Sequence, residues 1–560
     1  MAQRALDRTE LNLGIDFGTS FTRVTYFDPI TRETRLLRFR PQEQGFRQFA
    51  IPSLAVRSGG RWLFGYEAER NLREAHSEPT PTPVRSLKRQ LSKPDPEGKV
   101  LTIDGETFEV TSVIAEFLKY VLKVAEPVLQ AQYARAKIDA VPMNLSVPVL
   151  FDDRARRKIL DVYTQVFGDA AKGKLIVNEP TAAGMAEYRS PSGFPAGGTA
   201  VFDAGAGTTD VTILNRVGDH LLVVESDAEG VGGDDLDKAL ATVVEAGFRA
   251  RGIDLSDPLL EKLWRIERSK VTRLKERLSA EDDVEEVFTL GTHQMPFRYS
   301  STELEQRVGP IAKRMAAVLS RALDRARRQF ERTSKPFKLT EVLVVGGTSY
   351  TPVLRRHLEK AVQTWIAETR QVYGNPVIRH IMNLPGASQD GALFAVALGT
   401  AYPAQNFQEI RLGRVPYDVE LRLGNERTRV IKLLDAYGQL PATPEKVTAS
   451  TEDFYPYTAE IRFLQAGIVR QTVPINFELR SDPNLRVQVV VRIELSANAT
   501  LDVSYGTIIQ RMLTQIRQTM PWQDLLARKV EVLGKFYYGT DKYAKHGDFR
   551  SEGHGDASPG

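Results

Sequence analysis

The stretch "LGIDFGTSFTRVTYF", residues 13–27, reads as two β-strands joined by a short polar turn. Apolar side chains alternate with a period of two before the turn and resume after it, as in strands with a buried face. The first strand ends on Asp16, and the chain then turns on Gly18, Thr19 and Ser20. Glycine lets backbone N–H groups approach a phosphate, and hydroxyl groups add further donors. A lone copy of this pattern, however, is more often an ordinary turn.

A second stretch, "FDAGAGTTDVTIL" at residues 202–214, repeats the pattern in the same order. Its strand ends on Asp203, and its turn contains Gly205, Gly207, Thr208 and Thr209. Two matched copies predict two related subdomains, each contributing one hairpin to a shared cleft. Because Mg²⁺ usually keeps several of its waters, Asp16 and Asp203 are expected to hold it through water.

A third glycine-rich turn lies in "VLVVGGTSYTPVLRRHL", which begins at residue 342. A buried strand is followed by Gly346 and Gly347, and a helix is predicted to begin near Pro352 with Thr351 as its N-cap. A strand, a glycine turn and a helix N-terminus in this order are typical of a nucleotide-facing turn. Alone, the same turn is as often a device for tight packing.

The composition excludes several classes of site. The 560 residues carry a net charge of +4 and include no cysteine, which excludes disulfides, thiolate metal sites and a thiol nucleophile. So small a charge gives no reason to expect nucleic acid as a partner. The sequence has no run of about 18 apolar residues and no apolar segment near its start, so we expect no membrane contact and a cytoplasmic protein.

The order of predicted elements gives an α/β chain followed by a β-rich region. Strands and amphipathic helices alternate up to about residue 402, and the clearest helix covers about 302–332, with Thr302 and Glu305 as its capping box. We predict a nucleotide-binding domain at 11–403, a linker at 404–416, a β-rich domain at 417–504, a short helical segment at 505–540 and a disordered tail at 541–560.

Several of these segments together resemble one known family, the seventy-kilodalton heat-shock (Hsp70) chaperones of the actin and sugar-kinase ATPase superfamily. The similarity covers roughly residues 11–504. It rests on the three glycine-rich stretches above and on "IPSLAV", "VRSLKRQL", "LSVPVLFDDRARRK", "IVNEPTAAGMAEY" and "GVGGDDLD". The resemblance implies an actin-like ATPase domain of two related lobes, followed by an antiparallel β-sandwich that binds substrate and a short helical end.

The resemblance also implies roles for individual residues, including Lys88 and Glu179, which the sequence pattern alone would leave as surface charges. Lys88 would reach the γ-phosphate, Glu179 would orient the attacking water, and Thr208 would bind the γ-phosphate. Asp16 and Asp203 would organise Mg²⁺ beside bound ATP or ADP. The remaining nucleotide contacts would come from Gly18, Thr19, Ser20, Gly205, Gly207, Thr209, Gly232, Gly233, Gly346 and Gly347.

Some positions depart from the family pattern. Ala206 stands where the second phosphate motif usually has its middle glycine. Tyr350 stands where the family has the arginine that stacks on adenine, and Leu393 where it has an acidic residue. The adenosine-contacting helix fits in two registers, Glu267/Lys270 or Lys275/Ser279, and the second is favoured because the following strand then falls in place.

The sequence therefore predicts an ATP-hydrolysing, Hsp70-like chaperone that binds a client peptide or protein through its β domain. A co-chaperone or nucleotide exchange factor would assist it, and the protein would be a monomer. The main alternative is a nucleotide-switched interaction or scaffold protein with little hydrolysis and no general chaperone activity. Three departures from the family pattern favour it: Tyr350, the stretch "AQNFQEIRLGRVPYDV" at 404–419 in place of an apolar and acidic linker, and a region after residue 504 that is short for a helical lid. An actin-like filament former and a small-molecule kinase are further alternatives.

Overall fold

The computed structural model describes residues 11–74, 82–93, 98–133, 141–151, 153–167, 175–189, 197–217, 220–331, 338–370, 372–381, 384, 390–403, 410–412, 418–424, 429–434, 445–450, 458–465, 468–476, 485–495, 500–511 and 530–537. The chain divides into two compact units. The first contains residues 1–151 and 158–409, and the second contains residues 152–157 and 410–560. The tail predicted at 541–560 and most of the linker predicted at 404–416 lie outside the described residues.

The strands up to residue 380 are β1 (Asn12–Phe17), β2 (Phe21–Asp28), β3 (Glu33–Leu36), β4 (Ile51–Pro52), β5 (Ala55–Ser58), β6 (Arg61–Phe64), β7 (Pro83–Val84), β8 (Val100–Ile103), β9 (Glu106–Glu109), β10 (Met143–Val147), β11 (Leu175–Asn178), β12 (Gly197–Ala204), β13 (Thr209–Val217), β14 (His220–Glu229), β15 (Asp283–Leu290), β16 (His293–Ser300), β17 (Leu339–Val345) and β18 (Val377–His380).

The helices are α1 (Gly65–Glu74), α2 (Leu87–Ser92), α3 (Val110–Gln132), α4 (Asp153–Phe167), α5 (Glu179–Tyr188), α6 (Gly233–Ala250), α7 (Pro258–Glu267), α8 (Ser269–Leu278), α9 (Ser301–Glu331), α10 (Pro352–Glu368) and α11 (Gly391–Thr400). No helix among the described residues combines the length and the apolar character that a bilayer crossing requires.

Two sheets of the first unit share one topology. In the first sheet the order is β11-β10-β1-β2-β3, and in the second it is β18-β17-β12-β13-β14. In each sheet the first three strands run parallel, and the next two pair antiparallel as a hairpin and its extension. The repeat predicted from residues 15–27 and 202–214 is therefore a repeat of topology, and each predicted hairpin is present.

Helices α5 and α11 cross at very close range. A Cβ on Gly399 of α11 would collide with the backbone oxygen of Ala182 in α5, so only glycine allows this approach. Both helices are almost entirely buried, and both are rich in alanine and glycine. The crossing therefore depends on backbone proximity, in which small residues let two helices pack without intervening side chains.

A large hydrophobic core of the unit lies between the second sheet and the helices that cover it. It includes Phe202 on β12, Val244 on α6, Leu274 on α8, Leu319 on α9 and Leu354 on α10, all fully buried. The predicted long helix is present as α9 and buries its apolar face as expected. Its predicted capping box is wrong by two residues.

The capping pair of α9 is Ser300 with Glu303 in place of Thr302 with Glu305. The backbone N–H of Glu303 donates to Ser300 Oγ at 3.2 Å, and the backbone N–H of Ser300 donates to Glu303 Oε2 at 2.9 Å. β16 ends at Ser300, so the helix begins as soon as the strand stops, and Ser300 is the residue with the extended backbone that a cap requires.

The second unit contains antiparallel strands in two sheets. Its strands are β19 (Ile410–Leu412), β20 (Asp418–Leu423), β21 (Arg429–Leu434), β22 (Glu445–Ser450), β23 (Thr458–Gln465), β24 (Ile468–Asn476), β25 (Leu485–Leu495), β26 (Thr500–Arg511) and β27 (Val530–Tyr537). One sheet has the order β21-β20-β23-β24, and the other has the order β22-β25-β26-β27; the short strand β19 belongs to neither of these two sheets.

The helical segment predicted at 505–540 is wrong at both of its described ends. Residues 505–511 continue β26, which pairs with β25 along its whole length, and residues 530–537 form β27 beside β26. Leu501, Val503, Tyr505, Thr507 and Ile509 alternate with a period of two, and pairing with a long neighbouring strand favours this pattern over a helix. Residues 512–529 of the predicted segment lie outside the described residues.

Candidate functional site

The first hairpin places Asp16 at the buried end of β1. Asp16 Oδ2 accepts from Arg23 Nη1 at 3.2 Å, and Asp16 Oδ1 accepts from Ser146 Oγ at 3.2 Å. The turn is held by Ser53, whose hydroxyl donates to the carbonyl oxygen of Gly18 at 2.7 Å. Of the predicted turn residues, Gly18 and Thr19 are half-buried and Ser20 is exposed.

The turns of the two hairpins meet. A Cβ on Gly207 of the second turn would lie 2.5 Å from Thr19 Oγ1 of the first turn. The stem of Arg89 from α2 also packs against Gly207, at 3.0 Å from the same Cβ position. The structure therefore brings the two predicted glycine turns to one place, as a cleft between two related lobes requires.

The glycines before and within α6 lie directly beneath the second turn. The backbone N–H of Gly233 donates to the carbonyl oxygen of Gly205 at 3.1 Å, and that of Asp234 donates to the carbonyl oxygen of Ala206 at 2.8 Å. A Cβ on Gly232 would lie 2.5 Å from the carbonyl oxygen of Ala206. Backbone contacts this close leave no room for side chains, which explains the two glycines.

The third glycine turn closes the same site from the other side. Gly346 has a φ of +85° and its Cβ would lie 2.5 Å from Asp203 Oδ1, so a residue with a side chain would be strained there and would collide with the carboxylate. Gly347 begins a short 3₁₀ helix, Gly347–Tyr350. Thr348 Oγ1 in that helix donates to the carbonyl oxygen of Gly205 at 2.8 Å. All three glycine-rich motifs therefore converge around Asp203.

Lys88 and Glu179 form a buried ion pair. Lys88 lies in α2 and Glu179 is the first residue of α5, and Lys88 Nζ donates to Glu179 Oε1. The two side chains are 5% and 9% exposed, which is rare for charged residues and requires a partner. Burial raises the pKa of Glu179 above its usual range, Lys88 lowers it, and the nearby carboxylates Asp210 and Asp16 raise it further.

A cluster of carboxylates surrounds this pair. Asp203 is buried, and desolvation followed by the charges of Glu179, Asp210 and Asp16 raises its pKa well above the usual range. Asp210 on β13 is also buried, and desolvation raises its pKa to about 6 although Thr208 and the backbone N–H of Leu150 donate to it. Asp210 Oδ2 is buried and has no hydrogen-bond partner among the described residues.

Two residues of this cluster, Asp210 and Arg23, were missed at the level of sequence. Each faces a predicted carboxylate across a hairpin, Asp16 opposite Arg23 and Asp203 opposite Asp210. The available signal was the register of a hairpin, because a residue directly opposite a strand-end carboxylate shares its face of the sheet. The polar residues on the second strand of each hairpin, β2 and β13, therefore carried the information that was missed.

The two registers proposed for the adenosine-contacting helix lie in different places. Lys275 on α8 is buried, donates to the carbonyl oxygen of Gly233 at 3.2 Å and lies 2.7 Å from Asp237. Glu267 and Lys270 pair with each other at 2.6 Å, and both bond to the backbone of β15. Lys275 therefore lies beside the glycine turns, whereas the Glu267/Lys270 pair ties two helices to a hairpin.

Tyr350 stacks on a second ring that the sequence did not indicate. Its ring stacks on His380 of β18, with centroids 5.3 Å apart and planes 13° from parallel. Tyr350 Oη and His380 Nε2 are buried without hydrogen-bond partners among the described residues. Leu393 is close by, 3.5 Å from the Cβ position of Gly347. One face of the Tyr350 ring is thus already covered.

Two predicted contacts use their hydroxyl groups within the protein. Thr209 Oγ1 donates to the carbonyl oxygen of Val231 at 2.7 Å, which ties the second hairpin to the glycine turn before α6. Ser279 Oγ donates to the carbonyl oxygen of Lys275 at 3.0 Å, at the C-terminal end of α8. Both bonds hold other site residues in place.

The donor set suits a hard divalent cation held through water. Carboxylate oxygens are the ligands that Mg²⁺ prefers, and Asp210 Oδ2 is a buried oxygen in need of a donor or a cation. Within the described residues, no group of three or more acidic or histidine side chains is close enough to ligate one metal directly.

Comparison with known proteins places this chain in a family. The profile described as "Hsp70 protein" matches residues 77–369. The chain is 25% identical over 559 residues to the "Chaperone protein DnaK" of Elusimicrobium minutum, covering 96% of this chain and 83% of that protein.

Two further proteins named "Chaperone protein DnaK" are similar over a shorter region. The one from Thermoplasma volcanium is 29% identical over 359 residues, and the one from Thermoplasma acidophilum is 28% identical over 357 residues. Each alignment covers 62% of this chain, and the chain spans about half the length of these two relatives. The mixed α/β content and the repeated sheet topology fit an actin-like ATPase domain. Because the family profile covers more than half of the 560 residues, including Lys88, Glu179 and the second hairpin, the chain belongs to the Hsp70 family.

Proposed function

We propose that this protein binds and hydrolyses ATP with Mg²⁺ and couples the nucleotide to the binding of a client peptide or protein. The observation that carries the proposal is the meeting of the two hairpin turns, in which Gly207 lies against Thr19. The buried Lys88–Glu179 pair and the carboxylates Asp203 and Asp210 lie around that meeting point. Phosphates between the turns would face backbone N–H groups, a lysine and a cation site, as phosphoryl transfer requires.

Each residue of the site would have a separate task. Bound Mg²⁺ would neutralise charge on the phosphates. Asp203 and Asp210 would hold its waters, and Asp16 would take part from the first hairpin. Lys88 would donate to the γ-phosphate, and Thr208 would hold a γ-phosphate oxygen from the second turn.

Glu179 is the residue that would orient the attacking water. Burial and the neighbouring carboxylates raise its pKa, which brings the group into the range in which it can accept a proton near neutral pH. Its place at the first residue of α5, after β11, fixes the carboxylate on a rigid element. Turnover would be slow, because such sites work by positioning and electrostatics rather than covalent chemistry.

The β-rich second unit is the proposed client-binding part. We propose that its two antiparallel sheets form a sandwich-like domain that begins near residue 417 and extends past the predicted bound at 504 to include β26 and β27, following a nucleotide-binding domain at 11–403 and a linker at 404–416. An extended peptide would pair its main chain with a sheet edge, which is the usual way in which β domains bind peptides. A co-chaperone or an exchange factor would then set the rate of the cycle.

A specific observation also favours the second candidate, a nucleotide-switched interaction protein with little hydrolysis. Lys88 and Glu179 are the two residues assigned to the chemistry, and each is the other's partner. While the pair is closed, the lysine is withheld from the phosphate and the glutamate from the water. A nucleotide could then bind and switch the protein without being hydrolysed.

The first experiment measures hydrolysis and binding separately. Lys88→Ala and Glu179→Gln are expected to abolish ATP hydrolysis while ADP binding, measured by isothermal titration calorimetry, is largely kept. Lys119→Ala is the control, because Lys119 pairs with Glu116 on the exposed face of α3. Hydrolysis at the parent rate in both site variants would contradict the assignment of the site.

The second experiment separates the two candidate functions. Affinity for a panel of extended peptides would be measured with ATP and with ADP bound. A coupled chaperone requires the two affinities to differ, because a ligand shifts a second equilibrium only through differential binding. Nucleotide binding without measurable hydrolysis in the parent protein would favour the switch.

A further inference from the structure

Arg23 lies inside the carboxylate cluster, although no sequence motif pointed to it. It lies on β2 directly opposite Asp16 in the register of the first hairpin. Arg23 Nη1 is 3.2 Å from Asp16 Oδ2, and the two side chains are 12% and 9% exposed. An ion pair this well buried is screened little by salt and has a defined geometry.

The second oxygen of Asp16 is also engaged. Ser146 Oγ from β10 donates to Asp16 Oδ1 at 3.2 Å. Both oxygens of this carboxylate therefore have partners from the protein, whereas Asp210 Oδ2 is buried without one among the described residues. Arg23 thus ties down the carboxylate that ends the first strand.

Aromatic packing holds the guanidinium group of Arg23 in place. Its central carbon lies 5.7 Å from the centre of the Phe394 ring, within the range of a cation–π contact. Phe394 on α11 packs edge-to-face against Phe49, with ring centres 5.5 Å apart. Because its support comes from two other elements, the cation is pre-organised before any ligand arrives.

The charges around the Arg23 guanidinium group indicate its role. Asp16, Glu179, Asp203 and Asp210 influence one another electrostatically. Lys88 forms its ion pair with Glu179, and the carboxylate of Asp16 forms its ion pair with Arg23. We propose that Arg23 is a positioning residue that fixes Asp16 and supplies a permanent positive charge beside the phosphates of a bound nucleotide.

This inference rests on the proposed nucleotide site and has its own consequence. ADP without Mg²⁺ carries more negative charge than the Mg²⁺ complex, so a fixed cation attracts the metal-free form more strongly. Removing Arg23 therefore weakens binding of metal-free ADP more than binding of Mg²⁺·ADP. The quantity to measure is the ratio of the ADP dissociation constant in EDTA to that in Mg²⁺.

The test compares four proteins by calorimetry after thermal melts have confirmed that they fold. Arg23→Gln is expected to raise the ratio by about tenfold, because one unit charge is lost at short range in a poorly screened site. Arg23→Lys is expected to restore it to within about threefold of the parent, since the charge is kept on a shorter group. Arg35→Gln is the control, because Arg35 pairs with Glu33 on the exposed part of the same sheet.

The absence of cysteine allows a second version of the test in one protein. Arg23→Cys would be labelled either with an aminoethyl thiosulfonate, which adds a positive charge, or with a methyl thiosulfonate, which adds none. The aminoethyl label is expected to lower the ratio towards the parent value, and the methyl label is expected to leave it raised.

The outcomes separate this inference from the proposed function. Failure of the parent protein to bind ADP in either condition would contradict the nucleotide site itself. Binding by the parent with a ratio that Arg23→Gln leaves unchanged, or that Arg35→Gln changes equally, would overturn the role of Arg23 alone. Equal ratios with the aminoethyl and the methyl label would also overturn the role of Arg23.

Discussion

The ammonium group of Lys88 donates to the carboxylate of Glu179, and this buried contact joins α2 to the first residue of α5. A buried pair of this kind adds little net stability when intact, but breaking it leaves one charge uncompensated. The pair therefore has consequences for folding that are independent of any nucleotide.

Stability should become strongly pH-dependent when the lysine is removed. In Lys88→Met, Glu179 keeps its burial and its acidic neighbours, so its folded pKa lies even further above the unfolded value. The folded state then binds more protons than the unfolded state, and the free energy of unfolding falls as pH rises, by up to about 1.4 kcal/mol per pH unit. Urea unfolding from about pH 5 to about pH 8 would measure the slope.

The matched control removes both charges. Lys88→Met combined with Glu179→Leu fills the same space with apolar groups and is expected to have a flatter profile than Lys88→Met, with stability close to the parent protein near neutral pH. Equal slopes in the single and double variants would show that another group is responsible for the pH dependence.

Binding of Mg²⁺·ADP should release protons near pH 6. Burial raises the pKa of Asp210 to about 6 and that of Asp203 well above its usual range, and a cation favours the ionised form of both. Affinity is therefore expected to rise as pH increases from about 5 to about 7.5. Calorimetry in two buffers of different ionisation enthalpy would count the protons, and Asp210→Asn should release fewer.

A methyl group on Gly207 should weaken nucleotide binding. Its Cβ would lie 2.5 Å from Thr19 Oγ1 and 3.0 Å from Arg89 Cγ, so these side chains or the turns that carry them would have to move. We expect Gly207→Ala to lose about tenfold or more in ADP affinity, since overpacking at such a contact costs about 1–3 kcal/mol. The loss should appear in binding more than in the melting temperature.

The control for that substitution lies in α9. A Cβ on Gly309 would meet nothing within 4 Å, and Gly309 is inside a long helix. Gly309→Ala is therefore expected to leave ADP affinity unchanged, and any cost to stability would come from its Cβ meeting the ring of Pro310, which follows it in the helix. If both alanine variants bind alike, the contact between the turns is not part of the nucleotide site.

Tyr350 should contribute to ADP binding through its ring and not through its hydroxyl group. Tyr350 Oη is buried without a hydrogen-bond partner among the described residues, so Tyr350→Phe is expected to keep stability and affinity for ADP. Tyr350→Ala removes the stacking surface and should lose about threefold to tenfold in affinity. Fluorescence titration with ADP and GDP would test both variants. A loss in Tyr350→Phe equal to that in Tyr350→Ala would show that the hydroxyl group binds.

The two lysines of α8 should respond differently. Lys275 lies 3.2 Å from the carbonyl oxygen of Gly233, beside the glycine turns, and Lys275→Ala is expected to weaken ADP binding by about tenfold. Lys270 bonds to the backbone of Val287 in β15. Lys270→Ala should affect only stability, by about 1 kcal/mol. A larger loss of ADP affinity in Lys270→Ala than in Lys275→Ala would favour Glu267/Lys270 over Lys275/Ser279 as the adenosine-contacting pair.

Much of the fold could be predicted because its signals are local. Period-two alternation located both hairpins, the glycine turns appeared where the backbone approaches other atoms most closely, and the apolar spacing of α9 gave its buried face. The helix predicted at 505–540 failed for the opposite reason. Its described ends are strands because they pair with β25 and β26, and strand preference depends on such pairing partners outside the segment.

The sequence by itself determined the chemistry that is available: two strand-end aspartates, three glycine turns and a family resemblance that singled out Lys88 and Glu179. Local residue types set the turns and the periodicity, and these do not depend on the rest of the chain. Only the tertiary structure decided which groups meet. It paired Lys88 with Glu179, set Arg23 against Asp16, buried Asp210 among the other carboxylates and stacked Tyr350 on His380. The Lys88–Glu179 and Tyr350–His380 contacts join segments that are far apart in the chain, so no single segment encodes them, whereas the Arg23–Asp16 contact depends on the register of one hairpin.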